Sequence, residues 1–262
     1  MVPGPSYGKF AEFYDELTGN ISYAQRAQYF HELLKRYGPK QNTEDILLLD
    51  LACGTGSLSF ALSDLGYDVI GVDASGEMLS VAMQKNMQRA SPLLFLCQTM
   101  QELELYGSID GAICALDSLN HLTNPQDVQE ALERVSLFFS QDAVLIFDVN
   151  TPYKHEQVLG NQVFVYDCED VYCVWQNTYH ASTRVVDISL DFFEEEDGAY
   201  FRSSEQFSER AYTHEEICGF LENAGMVLVD FFAADTLEKP GSDTQRVVYV
   251  AKNRHLKQKT QG

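Results

Sequence analysis

Long apolar runs are missing from this sequence. None approaches the roughly 18–20 residues that a membrane-spanning helix needs, and the start "MVPGPSYGKF" has no basic segment leading into an apolar stretch. A soluble cytoplasmic protein is expected. Basic residues are scarce too: 18 Lys and Arg stand against 39 Asp and Glu, a formal net charge of −21. Such a surface repels a phosphate backbone at long range, which argues against a nucleic-acid partner. The basic cluster Lys252 to Lys259 lies in the tail and reads as a solvated, frayed end. Cysteines stand at 53, 97, 114, 168, 173 and 218, with neither a CxxC pair nor a His at ligand spacing. Reduced thiols and no metal centre are expected, and the acidic run Glu194 to Asp197 reads as a hydrated turn.

With 262 residues the chain is long enough for one domain carrying a modest insertion. Apolar residues at three-and-four spacing predict lead helices over 8–18 and 22–37, the second stopped by Gly38-Pro39. From Ile46 the pattern alternates. Strands are expected at 46–50, 68–72, 93–97, 109–115 and 143–149, and helices at 57–65, 76–89 and 126–139. This alternation predicts an α/β fold with a parallel sheet and helices on both faces. Residues 160–210 instead alternate polar with apolar or aromatic residues, as a small antiparallel insertion does, with "EEEDGAY" as its hairpin turn. A helix over 213–224, capped by Thr213 with Glu216 three residues on, and strands at 226–232 and 245–251 complete the core. The expected organisation is therefore lead helices and α/β core over 1–152, insertion over 153–211, the end of the core over 212–253 and a tail over 254–262.

In "LLLDLACGTG" two glycines, Gly54 and Gly56, fall between a buried strand and a helix, where missing side chains let a ligand lie against the main chain. Alone this is a weak motif. Two carboxylates strengthen it: Asp50, four residues before Gly54, and Asp73, which ends the next strand 17 residues after Gly56. An acid at the second strand's end can accept both hydroxyls of a ribose. A dinucleotide or S-adenosylmethionine could fill such a site. The dinucleotide fingerprint wants GxGxxG, yet the third position here is Ser59. An acid beside the loop would repel a pyrophosphate but could hold an ammonium group. A cationic ligand is expected.

The segments "LLDLACGTG", "VIGVDASGEML", "SIDGAICALDSLNHL" and "VLIFDVNTP" together resemble the class I S-adenosylmethionine-dependent methyltransferases, over roughly residues 7–252. The lead "YGKFAEFYDELTGNISY" and the β insertion resemble a small-substrate subgroup that includes amino-sugar N-methyltransferases and uncharacterised bacterial enzymes. The resemblance implies a Rossmann-like sheet of seven strands, lead helices over the cofactor and an insertion roofing the acceptor. It implies that Ala52, Gly54 and Gly56 line the methionine end, that Asp50 orients its amino group and that Asp73 takes the ribose. Ala74 and Met78 would flank the adenine. Where the family commonly has an Asp for the adenine amino group, this chain has Thr99, followed by Met100.

Methyl transfer needs the nucleophile, methyl and sulfur nearly in line, so positioning in a dry pocket supplies much of the rate. Asp117, Ser118, Asn120 and His121 follow strand four, where open α/β sheets place ligand-contacting loops. Asp117 is expected beside the cofactor. His121 is the general-base candidate, with a hydrogen-bonded packing role as its alternative. The resemblance gives Tyr7, Tyr14 and Tyr23 positions over the sulfonium or the acceptor, with Tyr14 as a catalytic candidate. It also hangs Trp175, Arg210 and Tyr212 from the roof toward the acceptor. A salt bridge within the insertion is an equal reading for Arg210. The "NTPY" at 150–153 resembles the NPPY signature of amide and nucleobase methyltransferases, but follows strand five and reads as a coincidental turn. The expected function is methyl transfer from S-adenosylmethionine to a small-molecule nitrogen or oxygen, by a monomer or homodimer. The rivals are an RNA or protein methyltransferase and a non-catalytic cofactor-binding module.

Overall fold

The computed structural model describes residues 8–19, 21–40, 42–168 and 171–254. Tyr7, and the expected tail beyond Arg254, lie outside them. The lead forms α1 (Gly8–Leu17) and α2 (Tyr23–Tyr37). Ser22 caps α2 by accepting the Gln25 N–H, and Ala27, Phe30, Leu33 and Leu34 recur on one buried stripe. The alternating core follows as β1 (Leu47–Leu51), α3 (Ser57–Asp64), β2 (Asp68–Asp73), α4 (Gly76–Asn86), β3 (Leu94–Cys97) and β4 (Ile109–Cys114). After it come α5 (Pro125–Leu137) and β5 (Phe139–Asn150). Asn124 accepts the Gln126 N–H while Pro125 fills the first turn, as the Asn-Pro pair predicts.

These strands join a seven-stranded sheet with α6 (His214–Asn223), β10 (Met226–Ala233) and β11 (Arg246–Asn253) completing the chain; its order is β10-β11-β5-β4-β1-β2-β3. The β5-β4-β1-β2-β3 neighbours are parallel, whereas β11 runs antiparallel to both β5 and β10. The sheet is thus mixed. β5 also starts earlier than the sequence pattern suggests, because Phe139 already pairs with Ile109. In register, Asp50 sits beside Gly71 on β2 and Ile113 on β4, so the tips of β1, β2 and β4 emerge side by side.

The insertion is a separate antiparallel sheet of β6 (Val163–Asp167), β7 (Val171–His180), β8 (Val185–Glu196) and β9 (Ala199–Arg210). β8 and β9 are joined through Asp197 and Gly198, both at positive φ, the geometry a two-residue hairpin wants. Val186, Ile188, Leu190 and Phe192 bury one face against Phe10 and Ala11 of α1 and Met78 of α4. That packing places α1 between the insertion and the α/β core. Among the described residues no helix is long and apolar enough to cross a membrane.

Candidate active site

The turn after β1 winds through left-handed backbone at Ala52 (φ 59°), Gly54 (φ 55°) and Gly56 (φ 75°). For Ala52 such a conformation carries a cost on the order of 1–3 kcal/mol, the kind of strain that gathers at functional sites. The two glycines do different work. A Cβ on Gly56 would lie 3.0–3.2 Å from Phe95, Phe60 and Ala82, so its bareness serves packing of α3. A Cβ on Gly54 would meet only Met78 Sδ, at 4.0 Å. The open backbone face is that of Gly54, with buried Met78 as its wall.

Asp73 turns toward this loop. Its Oδ2 accepts the Gly54 N–H and its Oδ1 the Ser75 N–H, each at 2.8 Å, and each oxygen keeps a lone pair for a ligand hydroxyl. Burial pushes its pKa up, against those two N–H bonds and nearby His121. Asp50 is 2% exposed and accepts the Ser59 hydroxyl at 2.5 Å. Burial raises its pKa to about 7; Ser59 opposes the shift and the Asp73 charge adds to it. A half-protonated buried carboxyl beside bare backbone fits a cationic ligand, whose ammonium would restore the carboxylate. Ribose hydroxyls suit Asp73, so these residues fit an adenosyl sulfonium with an amino-acid end.

The cavity behind the loop is small, about 30 Å³, and is lined by Tyr14, Tyr23, Asp50, Ala52, Gly54 and Ser118 among others. Helix α1 closes it. Asp15 accepts the Thr55 hydroxyl at 2.8 Å and the Ser57 hydroxyl at 3.1 Å, and pairs with Lys85. Ligand sites generally span roughly 300–1,000 Å³, so with α1 in this position the cavity is smaller than a nucleoside needs. Tyr14 lies edge-on to Phe10, ring centres 5.2 Å apart, and burial first, then Tyr23, hold its phenol well above its ordinary pKa. Toward the expected adenine end, Ala74 is exposed and Met100 packs on the core. The Thr99 hydroxyl bonds Glu102 at 3.1 Å.

The tip of β4 is strained in the same way: Leu116 (φ 58°) and Asp117 (φ 55°) are both left-handed. Asp148 on β5, fully buried, holds that turn by accepting the Leu116 N–H at 3.0 Å and the Asp117 N–H at 2.6 Å. Arg246 in turn pairs with Asp117 at 2.9 Å and with Asp148 at 3.6 Å, while Arg26 reaches Asp148 at 3.3 Å. Burial alone would raise the Asp117 pKa, but Arg246, Lys154 and His121 outweigh it and bring it to about 2. Asp117 therefore stays ionised.

His121 ends the short turn Ser118–His121, with its ring centre 5.3 Å from that of Phe207 and its Nε2 3.8 Å from Glu209 Oε1. Glu209 is 4% exposed; its other oxygen lies 3.4 Å from His155 Nε2 and accepts the Asn150 amide at 3.4 Å. A carboxylate thus stands between two imidazoles. Sequence reasoning missed Glu209 and chose its neighbour Arg210. The period-2 register of β9 was the available signal, since Phe207 and Glu209 share the inner face. Arg210 lies on the other face of β9, 3.1 Å from Glu216 of α6 and over the Tyr212 ring, so its ion pair joins the insertion to the core rather than staying within the insertion. Tyr212 departs from its expected acceptor position: it is 1% exposed, and its hydroxyl donates to the Leu122 carbonyl inside the core. Trp175 shares the inner face of β7 with Cys173, and its indole N–H donates to Asn177 at 2.8 Å. Among the described residues no group of three His, Cys, Asp or Glu could hold a metal ion.

Residues 48–138 match the model of a methyltransferase domain family. Over 246 residues the chain is 33% identical to YqeM of Bacillus subtilis (strain 168), a protein whose name assigns it as a methyltransferase, covering 94% of this chain and 96% of that one. The crystal structure of an S-adenosylmethionine-dependent methyltransferase from Clostridium acetobutylicum ATCC 824 superposes with a TM-score of 0.83 at 30% identity, covering 94% and 98% of the two chains. The sugar N-methyltransferase KedS8 from Streptoalloteichus sp ATCC 53650 shares the fold at 18% identity, with a TM-score of 0.74 over 92% of each chain. The mixed seven-stranded sheet with a β insertion is the Rossmann-like methyltransferase architecture. The chain belongs to the class I S-adenosylmethionine-dependent methyltransferases.

Proposed function

We propose that this enzyme methylates a nitrogen or oxygen of a small-molecule acceptor, with His121 as the proton-accepting group and Glu209 as the residue that positions it. Bound S-adenosylmethionine supplies an already activated methyl group, so the chain's tasks are to position, to dry and to take up a proton. Asp73 would bind the ribose hydroxyls, Asp50 the ammonium and the Gly54 backbone the methionine end. Tyr14 and Tyr23 would close over the reacting centre and exclude water. His121 would accept the proton from the acceptor, and Glu209, facing its Nε2, would hold the ring in place. In a resting state such pairs stand longer than the distance at which they act, as 3.8 Å does here.

The observation that carries the reading is the placement of His121: it ends the turn whose Ser118 lines the cavity beside Gly54, and its Nε2 faces the buried Glu209 carboxylate at 3.8 Å. The negative overall charge and the fold shared with a sugar N-methyltransferase support a small acceptor over RNA. The test is transfer of labelled methyl into a metabolite extract, followed by His121→Asn on the acceptor so found. Turnover is expected to fall by about 10²-fold or more with donor affinity held. Unchanged turnover removes His121 from the mechanism, and label entering only RNA or protein overturns the small-molecule reading.

A further inference from the structure

On the side of the β4 tip away from the glycine loop lies a cleft of about 560 Å³, within the range of small-ligand sites. Its walls come from the start of α2, the turn after β5 and the segment leading into β11. In a chain with 18 basic residues and a net charge of −21, three of the cations, Arg26, Lys154 and Arg246, line this one cleft. We infer that it is an anion site, and that it receives a carboxylate or phosphate carried by the methyl acceptor. The anion site stands on its own; its assignment to the acceptor rests on the proposed methyl transfer.

The two guanidiniums are held from behind. Asp148, fully buried, pairs with Arg26 at 3.3 Å and with Arg246 at 3.6 Å, so both forks are fixed before a ligand arrives. Pre-oriented guanidiniums lose little freedom on binding, and their remaining N–H donors suit planar oxyanions. Lys154 Nζ sits 2.9 Å from Asn150 Oδ1, and burial lowers its pKa, so an arriving anion would favour its charged form. Gln25 and Gln245 add neutral donors. The carboxylate in the cleft wall is Asp235, which contacts Arg26 at 3.1 Å with its side chain 54% exposed. Arg26 itself is only 11% exposed, but Asp235 reaches it from the open side of the cleft, where a ligand oxyanion can compete for the same guanidinium. The cleft is wired to the reaction centre, because Arg246 also pairs with Asp117 at the β4 tip. An acceptor anchored here by its anionic end would present its other end toward the methyl donor.

Calorimetric titration of the full chain with pyrophosphate, and separately with malonate, at matched ionic strength in chloride tests the site. Saturable binding of at least one probe is expected; the tighter of the two identifies phosphate or carboxylate as the recognised group. Lys154→Gln should weaken that probe about tenfold or more. Asp235→Asn should tighten it about threefold or more, a gain that misfolding cannot produce. No binding above chloride, or a wild-type affinity in both variants, overturns the site. Titration with S-adenosylhomocysteine is a separate measurement, so loss of the methyltransferase reading and loss of the anion site are told apart.

Discussion

Replacing Asp50 by Asn isolates the buried carboxyl that faces the glycine loop. Its pKa in the folded protein is raised from an ordinary 3.8 to about 7. A shift of about 3 units corresponds to about 4 kcal/mol at 1.36 kcal/mol per unit. The folded protein holds the proton more tightly than the unfolded chain, so this contribution to stability is complete below the unfolded pKa. It is lost as pH climbs through about 7. Roughly 2.5 kcal/mol of the loss falls between pH 5 and pH 8. Asn cannot ionise, yet it still offers an oxygen to the Ser59 hydroxyl. Urea unfolding of both proteins across that pH range, compared as a difference, cancels the other titrating groups. The variant should gain on the wild type by about 2 kcal/mol or more from pH 5 to pH 8. A difference flat to within about 0.5 kcal/mol would refute the claim that Asp50 is an uncompensated buried acid awaiting a cation.

The two glycines of the loop should respond differently to alanine. Gly54→Ala carries the left-handed backbone cost of about 1–2 kcal/mol and obstructs the open face, so donor affinity should fall sharply with a modest loss of stability. Gly56→Ala adds overpacking against Phe95, Phe60 and Ala82, and thermal unfolding should show a further loss of about 1–3 kcal/mol. Equal stabilities would dissolve the distinction. Asp15→Ala removes the contacts that pin α1 to Thr55, Ser57 and Lys85, and both members of the ion pair are about one-third exposed. Stability should change by under about 1 kcal/mol while stopped-flow association of the donor quickens severalfold; an unchanged rate would mean that α1 does not gate the cavity.

The architecture was legible because strand-to-helix alternation is a local signal. Runs such as "LLLDL" and "VIGVD" are strands buried on both faces, and Gly, Pro and Asn punctuate them. The antiparallel direction of β11 was not legible, since direction depends on the path of the connection and not on the strand's composition. In the site, Asp50 and Asp73 stood out as lone acids ending apolar strands, where a charge needs a reason. Glu209 and Arg210 show the limit. They are adjacent, both charged and both at the end of β9, and a single step of register decides which one faces His121. Tyr212 misled for a similar reason: a core tyrosine and a pocket tyrosine read alike until the hydroxyl's partner, the Leu122 carbonyl, is known. The clasp of Asp15 on Lys85 and the pairing of Arg26 with Asp148 join residues 70 and 122 positions apart, beyond any sequence periodicity.

The claim beneath all of this is that the Gly54 backbone and the Asp73 carboxylate hold the methyl donor, the first at its methionine end and the second at its ribose. Isothermal titration with S-adenosylhomocysteine, on the wild type and on Asp73→Ala, tests it most directly. One-to-one binding by the wild type and a loss of about 100-fold in the variant is the predicted result, as expected for two hydrogen bonds to a charged acceptor. Binding of equal strength in both proteins, or none by the folded wild type, would contradict it.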